Sequence, residues 1–176
     1  MLKQLSGEEP AAYVTKAWYG SNRNTGCLSV IADHAEALRW VYGLQAKLGP
    51  GLVAFAGTRH YASHREGRKG TEVVIGPGSD PFAIVEHAGT DAGNYDMTTE
   101  EIIRKLKSFH ARYGIRILEA SNDTVGFDLL HIPDDLPAFC QELYEFCPDI
   151  VDQGVGSLEA LEELIGEAGY LILWWD

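Results

Sequence analysis

Beyond Arg116 the chain contains no lysine and no arginine. Residues 117–176 carry fourteen Asp and Glu side chains, whereas all fourteen basic side chains lie before them, among twelve acidic ones. The formal charge of −12 therefore belongs to the C-terminal third. Phosphate backbones are bound through net positive surface, so this balance argues against nucleic acid as a direct ligand. It suits a basic protein partner, a divalent cation, or simple solvation of a charged face.

Cysteine is also scarce. Cys27, Cys140 and Cys147 cannot all pair internally. The last two stand two turns apart on a predicted helix, about 10 Å by helical rise, too far for a disulfide. A reducing compartment is the expectation. Long apolar runs are missing too: nothing approaches the ~20 residues of a membrane span. Met1-Leu2-Lys3-Gln4 leads into polar Ser6-Gly7-Glu8-Glu9-Pro10 without a signal core. The reading is a soluble, cytoplasmic protein with no membrane partner.

What is present is ordinary globular material: 176 residues, 45% apolar and 10% aromatic. A chain of this size buries roughly 70% of its unfolded surface, enough for a core without staples. Residues 11–19 read as a strand, 20–26 as turn chemistry and Cys27–Ala32 as the returning strand. Asp33 and Glu36 stand in capping-box relation before Ala37, Val41, Leu44 and Leu48, an apolar helical stripe that Gly49-Pro50 stops. Leu52–Ala56 and Thr71–Ile75 read as short strands on either side of a polar hairpin loop, 59–70, the one place where a boundary could fall. Asp80-Pro81 opens a short helix over Phe82–His87.

After a loop at 89–96, Thr98 and Glu101 form a second capping box. They precede a helix with Ile102, Leu106, Phe109 and Tyr113 on one face and Arg104, Lys105, Lys107 and Arg112 on the other. A hairpin follows, 115–120 and 124–131. Asp135 with Pro137 then opens a helix striped by Phe139, Leu143 and Phe146, which Pro148 ends. Ser157 caps a last helix with Leu158, Leu161, Leu164 and Ile165 inward, and Tyr170–Trp175 closes as a strand. Consecutive strands without crossover helices predict an α+β fold, a mainly antiparallel sheet with helices packed on it. Residues 1–50 form a strand-strand-helix elaboration of the domain spanning 51–176.

Four segments follow one another in order: Gly93-Asn94-Tyr95-Asp96, Phe146-Cys147-Pro148-Asp149, Asp152-Gln153-Gly154 and Trp174-Trp175-Asp176. Together they make residues from about 52 to 176 resemble the bacterial family called domain of unknown function 4253. The resemblance implies a small cytoplasmic α+β domain with no assigned enzyme activity. Some members look like immunity partners of secreted interbacterial toxins, nuclease-type ones included. Family members commonly carry Arg or Lys around the last helix and this chain carries none, as expected of a surface tuned to its own partner.

On this reading the protein is no enzyme but an acidic binding protein, an immunity protein that occludes a basic toxin. Its partner-binding residues are Asp149, Asp152, Gln153, Glu159, Glu162, Glu163 and Trp175, with Tyr144 as another aromatic anchor. Asp149 and Asp152 have a second reading as caps of backbone N–H groups, and Trp175 as core. The alternative is a small-molecule enzyme using Cys147 or a carboxylate pair. Acidic neighbours raise a thiol pKa, which weakens that option. No catalytic, metal or cofactor site is assigned: the carboxylates lack calcium-loop spacing, His60 and His64 sit among cations, and Gly154–Ser157 before a helix lacks a Walker lysine.

Overall fold

The computed structural model describes residues 1–16, 22–64 and 68–176. Seven strands form one sheet: β1 (Ala11–Lys16), β2 (Asn22–Ala32), β3 (Leu52–His64), β4 (Arg68–Pro77), β5 (Ile115–Ala120), β6 (Thr124–Leu129) and β7 (Tyr170–Trp174). Their order is β1-β2-β4-β3-β5-β6-β7. Every neighbouring pair is antiparallel except β3 and β5, which run parallel through the register Ala56 to Glu119. The helices are α1 (Leu2–Ser6), α2 (His34–Gln45), α3 (Ala83–Ala88), α4 (Thr99–Tyr113), α5 (Leu136–Phe146) and α6 (Leu158–Ala168). The fold is α+β, and among the described residues no helix is long and apolar enough to cross a membrane.

Side-chain alternation along the strands divides the core in two. Val53 and Phe55 belong to one apolar cluster, which also takes the buried residues of α3, α4, α5 and α6. Ala54 and Ala56 belong to the other, where Ala37, Val41 and Leu44 of α2 close over Val30, Val73 and Leu118. Alanine on the sheet side brings α2 close. Its start is fixed by Asp33, whose side chain accepts the Ala35 N–H at 3.0 Å. On the opposite face Thr98 and Glu101 complete the expected capping box of α4.

Three sequence readings need correction. The polar stretch 59–70 is mostly paired strand, with β3 reaching His64 and β4 starting at Arg68. Its polar composition reads as a loop, but the backbone pairs across the two strands at Arg59 with Thr71, His60 with Gly70 and His64 with Arg68, and 65–67 lie outside the described residues. β2 starts at Asn22, within the expected turn at 20–26, whose first two residues also lie outside them. Leu164 is 40% exposed rather than inward, because the buried side of α6 is filled by Leu161 and Ile165 with Leu158 packed beside them. β1 and β2 join the same sheet as the rest of the chain.

Candidate functional site

Pro148 ends α5, and the chain turns at Cys147 and Asp149 into a π-helical turn, Ile150–Val155. Gly156 closes that turn at φ 87°, a left-handed conformation that suits glycine. Inside it the Asp149 side chain is buried, only 4% exposed. Oδ1 accepts the Tyr95 hydroxyl at 2.8 Å and the Gln153 amide at 2.9 Å. Oδ2 accepts the backbone N–H of Asp176 at 2.9 Å. Burial alone would raise this carboxyl pKa, but the bonds from Asp176, Tyr95 and Gln153 outweigh it and hold it below the usual range. Tyr95, now hydrogen-bonded to a carboxylate, has its phenol pKa pushed up to about 12.

The other motif residues meet at the same place. The Cys147 thiol donates to the Trp174 carbonyl at 3.0 Å, and the Trp175 indole N–H donates to the Phe146 carbonyl at 3.0 Å. The Trp175 backbone N–H donates to the Asp123 carbonyl at 3.1 Å. A Cβ on Gly154 would come within 2.8 Å of the Trp174 ring, so only glycine lets the turn lie against it. Segments far apart in sequence thus form one sealed knot. Burial pushes the Cys147 thiol up to about 11, the state of a structural cysteine.

Ten of the other carboxylates after residue 117 fall into two sets. One set is satisfied internally. Glu142 bridges α5 to α4, taking Lys105 at 2.8 Å and both Arg112 guanidinium nitrogens at 2.8 Å. Asp128 takes the Tyr42 hydroxyl at 2.8 Å and faces Arg116 at 3.9 Å. Glu119 takes the Tyr170 hydroxyl at 2.6 Å, Asp123 accepts from Ser121 and Thr124, and Asp135 caps α5.

The second set points outward. Glu159, Glu163 and Glu167 recur at helical spacing on the side of α6 opposite buried Leu161 and Ile165, with Glu162 on the flank. Glu162 is half-buried and the other three are exposed. Asp152, on the π turn just before α6, is exposed beside the Tyr144 hydroxyl at 3.2 Å. Among the described residues no basic side chain pairs with any of these five.

Five of the seven residues expected to bind a partner, Asp152, Gln153, Glu159, Glu162 and Glu163, lie on or near this face, although Gln153 turns its amide onto Asp149. Two do not. Asp149 is enclosed by its three donors, and Trp175 is 3% exposed, its ring edge-on to Phe146 at 5.3 Å, so neither can reach a partner. Glu167 was missed, although it continues the Glu159–Glu163 stripe by one turn. Tyr95 was missed as the third group of the Asp149 knot; its place in the first motif segment was the available signal. Among the described residues no cluster of three His, Cys, Asp or Glu could hold a metal ion.

No curated protein and no solved structure matches the chain. A family model does. Described as domain of unknown function DUF4253, it covers residues 72–176, starting at β4 rather than at residue 52, and it includes all four segments that meet around Asp149. By that match the chain belongs to the DUF4253 family.

Proposed function

We propose that this protein is a binding protein whose α6 face, extended by Asp152, takes a basic protein partner. One observation carries the reading: Glu159, Glu163 and Glu167 share the outward side of a helix, with half-buried Glu162 on its flank, and none of the four has a basic partner among the described residues. Concentrated charge of one sign raises association rates and selects partners of opposite charge. The partner we infer is a secreted interbacterial toxin, nuclease-type, because a nuclease must offer positive surface to phosphate. Covering that surface would make this chain an immunity protein acting in the cytoplasm. An interface of ~800 Å² per side is expected.

The enzyme alternative has less support. Cys147 is buried with a raised thiol pKa, and both oxygens of Asp149 are occupied. The test is co-expression with a toxin encoded beside this chain, using a variant with Glu159, Glu162, Glu163 and Glu167 all changed to Gln. Protection by the wild type and its loss in the variant supports the proposal. Equal protection by both contradicts it.

A further inference from the structure

Among the described residues β7 ends the sheet, with only β6 beside it. That neighbour takes the backbone groups of alternate residues. The Gly169 carbonyl accepts the Leu129 N–H at 2.7 Å, and the Trp175 N–H donates to the Asp123 carbonyl at 3.1 Å. With Ile172 opposite Gly126 and the register unbroken, the odd-numbered residues from 169 to 175 turn their N–H and C=O groups toward β6. Tyr170, Ile172 and Trp174 turn theirs outward. At Trp174 that side is partly closed, since its carbonyl accepts the Cys147 thiol. The N–H and C=O groups of Tyr170 and Ile172 have no hydrogen-bond partner among the described residues.

Sheets discourage strand addition at an edge with charged residues, proline or a bulge. The far edge, β1, has such an irregularity, a register shift between Ala12 and Val14. β7 has none of these: its five residues are all uncharged, contain no proline, and stay in one register with β6. Leu171 and Leu173 are buried, so an incoming strand would meet Ile172, 37% exposed, between half-buried Tyr170 and Trp174. Carboxylates stand beyond both ends of the strand. Glu167 precedes it and Asp176 follows it, both exposed and without a basic partner among the described residues.

We propose that the β7 edge takes an extended basic segment of a protein partner as an added strand. Main-chain bonds to Tyr170 and Ile172 hold the segment, and alternate side chains rest on the apolar side of β7. Its lysines or arginines face Glu167 and Asp176. The inference rests on the reading of this chain as a binder of a basic protein, and it names the backbone conformation in which that partner is taken. A second copy of the chain is the poorer occupant, because each copy carries a charge of −12.

Amide NMR of the full chain, titrated with a capped pentapeptide of alternating lysine and valine, tests this. Saturable shifts are expected at the amides of Tyr170, Ile172 and Trp174. A twin peptide with glutamine for lysine should bind at least about fivefold more weakly. The lysine peptide N-methylated along its backbone keeps its charge but not its donors, and should lose affinity by at least about the same factor. Ile172→Pro removes an outward N–H and no bond to β6, so it should weaken binding likewise. Should that variant fail to fold, the N-methylated peptide carries the test on the wild-type chain. The variant with four α6 glutamates changed to Gln should keep its shifts at β7, at lower affinity. Shifts confined to α6 would leave the glutamate face standing as a partner site and overturn the β7 proposal. The absence of saturable shifts at β7, or undiminished binding of the N-methylated peptide, overturns it as well. So does a free chain that sediments as a dimer and becomes a monomer in Ile172→Pro, which gives the edge to a second copy.

Discussion

The Asp149 carboxylate holds the backbone N–H of Asp176 at 2.9 Å, fastening the residue after Trp175 to the turn that follows α5. Tyr95 reaches the other oxygen of the same carboxylate from 54 residues away. The acid most prominent in the sequence motifs is thus a fastener. Removing it takes the shared acceptor from three donors, of which Gln153 and Asp176 lie at exposed residues and Tyr95 at a half-buried one. Asp149→Ala is expected to cost about 2 kcal/mol, with Tyr95→Phe costing about 1 kcal/mol, as read by urea unfolding. A loss below ~1 kcal/mol for Asp149→Ala would mean the knot contributes little.

Acid should weaken the fold through the same group. Asp149 and Glu142 both have lowered pKa values. Glu142 is held down first by Arg112 and then, against the opposing effect of burial, by Lys105. A carboxylate whose folded pKa is depressed contributes stability above its unfolded pKa, near 4, and loses it as pH falls through the folded value. Melting temperature should therefore decline as pH drops below about 4, and less steeply in Asp149→Asn than in the wild type. Parallel acid profiles in the two would contradict this.

The link between α4 and α5 can be tested on its own. Glu142 joins Lys105 and Arg112 in a half-buried, bidentate arrangement, stronger than an ordinary surface pair. A double-mutant cycle with Glu142→Gln and Arg112→Met should give a coupling of about 1 kcal/mol. Zero coupling would return the pair to the status of a decorative surface bridge.

Cysteine chemistry gives a further expectation. Cys27, Cys140 and Cys147 are all buried, and burial pushes Cys140 and Cys147 up to about 11. Thiol labelling at pH 8 should proceed only as fast as the chain opens, and urea should accelerate it. Cys147→Ser should leave partner binding intact. Immediate labelling of one thiol in the native state would revive the enzyme alternative.

Signals that act within one turn were legible in the sequence. The Thr98–Glu101 capping box, Asp33 before α2, and Pro148 after α5 all operate over two to four residues, and each lies where expected. Pairings that depend on distant partners were not legible. The parallel contact of β3 with β5 rests on the single register Ala56 to Glu119, and no local pattern announces it. The cation-rich hairpin looked like a loop because its sheet neighbours were unknown. For the candidate site the same division holds: the stripe Glu159–Glu163 follows from helical period. The burial of Asp149 required knowing that Tyr95 and Asp176 would meet there.

The most direct test of the account is the association rate with a captured toxin partner, measured by stopped flow between ~50 and ~500 mM salt, wild type against the variant with Glu159, Glu162, Glu163 and Glu167 changed to Gln. The account predicts a wild-type rate that falls at least tenfold across this range while dissociation changes little. It also predicts a variant already slow at low salt and nearly indifferent to added salt. A wild-type rate insensitive to salt, or equal rates for the two proteins, would contradict it.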